Sequence, residues 1–392
     1  MKEMMLCLVL HKCKEVKNTV IVGAGEEGRR LSKILIQNGI KIIEFFDNNG
    51  EIIGNKINCI RICKPHKLEE TETLYVVSVR DKKQKEELFN QLTDLDINDE
   101  DIILYNRDGS NYEYNEKADE NEYRNIINNL YLEKFGHEIN FINPKTYNEK
   151  INLEKINLSD PIRTKLADKV EVRKWIEEQI GKQYLTKHYG VWKNAEDIDF
   201  GILPQAFVLK MNNGSGRNIL VKDKNKLDIA STIKQLNEWK QSNYAFTAME
   251  LHYRDIIPQI ICEEYLKDLA ETVYDYNIYC FNGEPRYIWC IKGSHRPNCK
   301  ASFYDTNWKM QPFSYGYPKD EEEAPRPEKL DEILDLSRTL CKQFKHVRVD
   351  WYNMPDGRVL FGEMTFATWA GLAKFIPEEY DMIFGKLIDG EM

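Results

Sequence analysis

Apolar and polar residues follow two rhythms along this chain, and the changes between them outline its organisation. Residues 18 to 47, "NTVIVGAGEEGRRLSKILIQNGIKIIEFFD", read as strand, glycine-rich turn, helix and strand, with Leu31, Ile34 and Leu35 recurring at helical spacing. Apolar runs at 74–80 ("LYVVSVR") and near 101–106 ("DIILYN") extend the pattern to a small parallel sheet. Residues 107–122, "RDGSNYEYNEKADENE", have no apolar periodicity and read as a linker. Helical spacing returns in "YRNIINNLYLEKFG", in "NPKTYNEKINLEKI" and in "LADKVEVRKWIEEQIG", the last a single helix with Leu166, Val170, Ile176 and Ile180 on one side and Gly181 as its stop. From about 186 strands and helices mix: "FVLKM", "NILVK", "ASTIKQLNEWKQ", "IICEEYL", "YDYNIYCFNG", "EPRYIWCIKG" and "LDEILDLSRTLCKQF". The segment "VRVDWYNMPDGRVLFGEMTF", 347–366, reads as a hairpin turning at Met-Pro-Asp-Gly.

Within that hairpin the alternation puts Val347, Val349 and Trp351 on one face and Arg348, Asp350 and Tyr352 on the other. Glu363 and Thr365 are expected to share a face with Phe361 on the second strand. Two carboxylates and a guanidinium then point into one space, where a packed sheet would carry apolar residues.

Length and charge narrow the options. A chain of 392 residues exceeds one ordinary core. The expected division is 1–106, the linker 107–122 and a second unit 123–392, with a helical entry at 123–185 and mixed subdomains at 186–392. The fold class is therefore α/β and α+β. A net charge of −9 argues against a nucleic-acid binder. No apolar run has the length of a membrane span, so no stable membrane insertion is expected. Nine cysteines without a C-x-x-C pair suit a reducing compartment, and the expected location is cytoplasmic.

Three stretches carry candidate chemistry. Gly23, Gly25 and Gly28 form G-x-G-x-x-G between strand and helix, with Asp47 about 20 residues further on, where an acid reaches a ribose hydroxyl. The first unit is thus Rossmann-like, and its size suits one nucleotide or none. "FVLKMNNGSGRNILV" places Lys210 at a strand end before a loop, Asn213, Gly214, Ser215, Gly216 and Arg217, whose amides are able to cradle phosphate; the G-K-[ST] of a Walker loop is absent. "IICEEYL" ends an apolar strand in Glu263, Glu264, Tyr265 and Leu266.

The order Lys169, Lys210 with its loop, Glu263 to Leu266, Arg348-x-Asp350 and Glu363-x-Thr365 resembles the ATP-grasp superfamily. With "NPKTYNEKINLEK", "TKLADKVEVRKWI", "GVWKNAEDIDF", "DYNIYCFNGEP" and "FGEMTF", residues 120–388 resemble its teichuronopeptide-biosynthesis, TupA-like branch. The resemblance implies a small Rossmann-like domain followed by an ATP-grasp fold, with ATP and magnesium (Mg2+) as cofactors. Lys169 and Lys210 would contact phosphates under the 213–217 loop, and Glu263, Glu264, Tyr265 and Leu266 would form the adenine hinge. Asp350, Glu363 and Thr365 would hold magnesium, and Arg348 would stabilise the transferring phosphoryl group. Arg286, Lys292 and Arg296 are candidates for receiving an anionic substrate, Arg296 also for catalysis. The segment "VIVGAGEEGRRL" with "FFDNN" resembles modules of bacterial sugar-modifying enzymes, in some of which the module holds the nucleotide of a UDP-sugar. Three departures stand out: Thr365 where the superfamily has Asn, Asn277 where relatives carry Lys, and "ATWAG" where a Pro/Gly-rich turn is expected.

The activity implied by the resemblance is that of a ligase joining a carboxylate to an amine through an acyl phosphate. The expected partners are a free or nucleotide-linked sugar acid and an amino acid or amine, in capsular or cell-wall polysaccharide synthesis. A kinase acting on a sugar hydroxyl and a non-catalytic nucleotide-binding scaffold stand as alternatives. A nicotinamide-dependent sugar enzyme using the first domain is disfavoured because residues 1–106 lack a Tyr-x-x-x-Lys pair. The oligomeric state is left open.

Overall fold

The computed structural model describes residues 3–4, 6–69, 72–105, 119–157, 161–266, 274–292 and 299–391. The chain forms two compact units, Met1–Ile139 and Asn140–Met392.

The first unit is built on strands β1 (Glu3–Met4), β2 (Asn18–Val22), β3 (Ile42–Phe46), β4 (Lys56–Ile57), β5 (Ile60–Cys63), β6 (Thr73–Val77) and β7 (Ile102–Tyr105). Their order across the sheet is β1-β7-β6-β2-β3-β5-β4, parallel except for the β4–β5 edge pair. Strands β2 and β6 are buried on both faces, which explains why they read as continuous apolar runs without alternation. Helix Glu26–Gln37 buries Leu31, Ile34 and Leu35 as its spacing foretells.

The division of the chain differs from the expected one. Of the expected linker, 107–118 lie outside the described residues, and 119–122 already cap and open helix Glu120–Phe135 through a reciprocal Asp119–Glu122 capping box. That helix, expected to enter the second unit, belongs to the first. Leu132 joins Leu6, Val9 and Leu10 in one core, and the Asn129 side chain accepts a hydrogen bond from the Leu6 amide at 2.5 Å.

Among the described residues the second unit holds two larger antiparallel sheets and one two-stranded pair. The smaller runs β10 (Asn218–Val221), β9 (Phe207–Met211), β11 (Ile260–Glu264), β8 (His188–Trp192), and its core packs against helix Ile229–Gln241. The larger runs β14 (Lys300–Asp305), β13 (Glu284–Lys292), β12 (Tyr274–Phe281), β16 (His346–Asn353), β17 (Val359–Thr365). One face of this larger sheet packs on helix Leu330–Cys341, where buried Trp351 donates its indole N–H to Ser337 Oγ at 2.8 Å. β15 (Ser314–Tyr315) and β18 (Phe375–Ile376) form a separate pair. The helix expected through 166–181 is two helices, Pro161–Ala167 and Glu171–Ile180, with a turn at 168–170 between them.

Candidate active site

Strands β16 and β17 pair Arg348 with Thr365 and Val349 with Met364, then slip by one residue so that Trp351 faces Phe361. Gly362 and Glu363 together oppose Asp350, which makes a β-bulge. The expectation that Phe361 shares a face with Glu363 is therefore corrected. Phe361 turns into the core beside Trp351, while Glu363 and Thr365 turn to the face of Arg348 and Asp350. Gly362 suits the bulge because a Cβ there would lie 3.1 Å from the Asp350 carbonyl oxygen.

On this face Arg348 clasps Asp350, with Nε to Oδ1 at 2.7 Å and Nη2 to Oδ2 at 2.5 Å. The same Nη2 lies 3.5 Å from Glu363 Oε1, which also accepts from Thr365 Oγ1 at 3.2 Å. Burial pushes the Asp350 carboxyl up to about 7 although the guanidinium beside it acts the other way. For Glu363, burial raises and Lys169 and Arg348 lower, and the net result is below its ordinary value.

Opposite stand the lysines. Lys169 sits in the turn at 168–170, not on a helix as expected. Asp168 accepts from the Val170 amide at 2.8 Å and from Asn212 Nδ2 at 3.0 Å, which fixes the break and ties it to the end of β9. From there Lys169 Nζ donates to the Gly214 carbonyl at 2.5 Å and lies 3.9 Å from Glu363 Oε2. Burial lowers its pKa. Lys210 Nζ bonds Glu263 Oε2 at 2.7 Å, and Arg173 and Thr186 hold Glu263 Oε1 at 2.6 and 2.9 Å.

These groups line one cavity of about 540 Å³ between the two sheets of the second unit. It collects Lys169, Lys210, Ser215, Gly216, Glu263, Arg348, Asp350, Glu363 and Thr365 from the expected set. Other expected residues do not line it. Arg217 is drawn to the carboxyl end of helix Ile229–Gln241, donating to the Trp239 and Ser242 carbonyls, where a cation meets the helix dipole. Asn213 and Gly214 are buried, with Gly214 packed under the Tyr244 ring at a φ of +106° that suits glycine. Of the adenine hinge, Glu263 spends its carboxylate on Lys210 and Arg173. Glu264 accepts from the Lys187 amide and from Arg358, Leu266 packs with Met354 and Leu360, and Tyr265 is half-buried beside them in the chain. Arg286 is exposed, Lys292 pairs with Glu322 at 3.1 Å, and Arg296 lies outside the described residues.

Several cavity residues went unread in the sequence: Arg173, Glu250, Asp275, Trp289, Tyr317 and Trp369. Arg173 and Glu250 sit at places ordinary for a charged helix face and a loop, and only the fold buries them. Asp275 had a legible signal, because it alternates with Asn277 on β12 as Arg348 does with Asp350.

The donor set suits magnesium. Among the described residues no three His, Cys, Asp or Glu side chains converge into a ready cage. Magnesium typically takes one or two carboxylates and completes its shell with phosphate oxygens and water. Asp350 and Glu363 share one guanidinium and together offer the carboxylate oxygens that such an ion takes.

In the first unit the glycines answer to backbone geometry. Gly23 has φ +103°, and a Cβ on Gly28 would lie 1.9 Å from the Gly23 carbonyl oxygen. Asp47 accepts from the Ala24 amide at 2.7 Å and the Asn49 amide at 2.8 Å. Glu26 and Glu27 occupy the helix start, and Arg80 binds Glu27, so this dipole is already compensated from within the chain.

No curated protein matches the chain. Among solved structures, a D-alanine–D-alanine ligase from Bacillus anthracis complexed with ATP is 15% identical over 95% of each chain, with a TM-score of 0.36. An L-amino acid ligase from Bacillus licheniformis is 12% identical over 95% of this chain and 75% of its own, at 0.38. The ATP-grasp ligase PsnB with its minimal precursor is 13% identical over 96% and 98%, at 0.34. Likeness at this level decides nothing by itself. Residues 149–389, more than half of the sequence and nearly all of the unit that holds the cavity, match the TupA-like ATP-grasp family model, and the chain belongs to that family.

Proposed function

We propose that this protein is an ATP-dependent carboxylate–amine ligase that joins an amino acid or amine to a sugar acid in capsular or cell-wall polysaccharide synthesis. The observation that carries the reading is the single cavity in which Lys169, Lys210 and Arg348 face Asp350 and Glu363, with no histidine or cysteine among its lining residues. Such a wall can bind and orient phosphates, and in this reading the substrates bring the reacting atoms.

In this reading Lys169 and Lys210 take phosphate oxygens, and Glu263, anchored by Arg173, keeps Lys210 extended into the cavity. Asp350 and Glu363 would hold magnesium, which when bound neutralises charge on the phosphates. A substrate carboxylate oxygen attacks the γ-phosphorus and ADP leaves, giving an acyl phosphate. The amine nitrogen then attacks the acyl carbon, the carbon–oxygen bond breaks, phosphate leaves and the amine proton passes to water. Arg348 is placed to steady the transferring group through Nη1, which makes a long contact of 3.4 Å to Thr368 Oγ1. The sugar-acid setting rests on the resemblance of residues 120–388 to the teichuronopeptide-biosynthesis branch. A cytoplasmic location is supported by the free thiols of Cys13, Cys59, Cys63, Cys262, Cys280, Cys290, Cys299 and Cys341. Among the described residues no helix is long and apolar enough to cross a membrane.

Calorimetric titration of Mg-ATP into the wild-type protein and an Asp350→Asn, Glu363→Gln double variant tests the site. Magnesium-dependent binding that the variant loses supports the reading. Equal binding by both proteins would move the nucleotide elsewhere.

A further inference from the structure

The cavity continues past the carboxylates along the larger sheet. Asn277 on β12 is the cross-strand neighbour of Asp350 on one side and of Trp289 on the other. Directly opposed residues on one face stand within side-chain contact. The Arg348 guanidinium lies 5.8 Å from the Trp289 ring centroid, and Trp289 stacks on Tyr317 at 5.6 Å and 22°. Trp369 meets Tyr317 edge-on at 5.1 Å. All three aromatic rings and Asn277 line the cavity.

Trp369 is unusual in two respects. It is 44% exposed, and it and Ala370 both adopt left-handed backbone, with φ of +51° and +53°. Two consecutive non-glycine residues in this region store strain, held here by Lys155 on the Ala370 carbonyl, and such strain clusters at ligand sites. The indole is seated on Gly316, where a Cβ would stand 2.2 Å from its Nε1. This is the "ATWAG" segment, the departure from the expected Pro/Gly-rich turn.

The polar atoms beside the rings choose the ligand. Asn277 lines the cavity and makes no side-chain hydrogen bond among the described residues. An aromatic or aliphatic guest would leave its amide unsatisfied. A pyranose ring offers an apolar C–H face for stacking and a rim of hydroxyls for such groups.

We propose that Trp369 and Tyr317, backed by the buried Trp289 and flanked by Asn277, form a sugar-ring platform that holds a uronic acid with its carboxylate directed toward Arg348. This deepens the ligase reading and rests on it for the direction of the carboxylate.

Saturation-transfer NMR on the full chain with Mg-AMP-PNP tests the platform, with methyl glycosides of glucuronic, galacturonic and mannuronic acid as probes and N-acetylphenylalanine as comparator. Expected are transfer to the ring protons of at least one uronoside, none to the comparator, and a loss of affinity of about tenfold or more in Trp369→Gly and Tyr317→Leu. Trp369→Gly relieves the backbone strain, so it is expected to fold. Absence of ring-proton transfer from all three uronosides in the wild-type protein overturns the platform, as does equal uronoside affinity in wild type and both variants. Uronoside binding without ATP turnover on any amine would keep the platform and remove the ligase. ATP-driven ligation of an N-acetyl amino acid, with no uronoside contact, would do the reverse.

Discussion

Arg348 and Asp350, two residues apart on one strand, are joined by two side-by-side hydrogen bonds of 2.7 and 2.5 Å, which occupy both carboxylate oxygens of the leading magnesium candidate. The fork neutralises a buried acid, and a metal ion arriving with nucleotide would compete with it for the same oxygens. Replacing Asp350 with Asn is expected to weaken Mg-ATP binding by about a hundredfold, as lost metal affinity. Calorimetry with and without EDTA separates this metal-linked loss from a general one.

Glu263 holds two cations, Lys210 and Arg173, in a nearly dry position. Glu263→Ala leaves both charges uncompensated and is expected to cost about 3–5 kcal/mol in urea unfolding. Arg358→Ala, which breaks the exposed pair with Glu264, is expected to cost under about 1 kcal/mol. Similar losses in the two variants would contradict the burial argument.

The bulge at Gly362 sets one extra residue between Phe361 and Glu363. Deleting Gly362 removes the extra residue and leaves Phe361 opposite Trp351 and Glu363 opposite Asp350, so both faces are kept. Expected is retained Mg-ATP binding in a variant that still melts cooperatively. Loss of binding with the fold intact would contradict this and show that the bulge itself positions Glu363.

Two buried histidines set an acid limit. His346 Nδ1 faces the Cys280 carbonyl at 2.9 Å and so carries the proton, leaving Nε2 to accept from Tyr147 Oη at 3.0 Å. Burial depresses His346 and His252 to about 3. Between pH 6.5 and about 3 the unfolded chain binds protons that the folded chain refuses, so stability falls as pH drops through this window, by up to about 1.4 kcal/mol per pH unit for each group. His346→Gln is expected to flatten the slope of the urea midpoint against pH by one proton's worth. An unchanged slope would contradict it.

What the sequence made legible depends on which signals are local. The strand–turn–helix at 18–47 and the hairpin at 347–366 declare themselves through alternation and turn residues, and the order of charged motifs led to the family. The side chain of Arg217 was misplaced because the carbonyls that hold it, of Trp239 and Ser242, lie some 25 positions on, at a helix end. Phe361 was misplaced because a bulge reverses alternation without leaving a mark beyond one glycine. Trp369 was invisible as a cavity residue because its backbone is one that no sequence rule expects of Trp-Ala.

Whether the cavity activates a carboxylate is decided by trapping the acyl phosphate. The full chain is incubated with Mg-ATP, a uronic acid and hydroxylamine, and both hydroxamate and ADP are quantified. Hydroxamate formed in step with ADP, and lost in Asp350→Asn, is the expected result. ADP formed with a phosphorylated sugar hydroxyl and no hydroxamate would show a kinase, and the ligase account would fall.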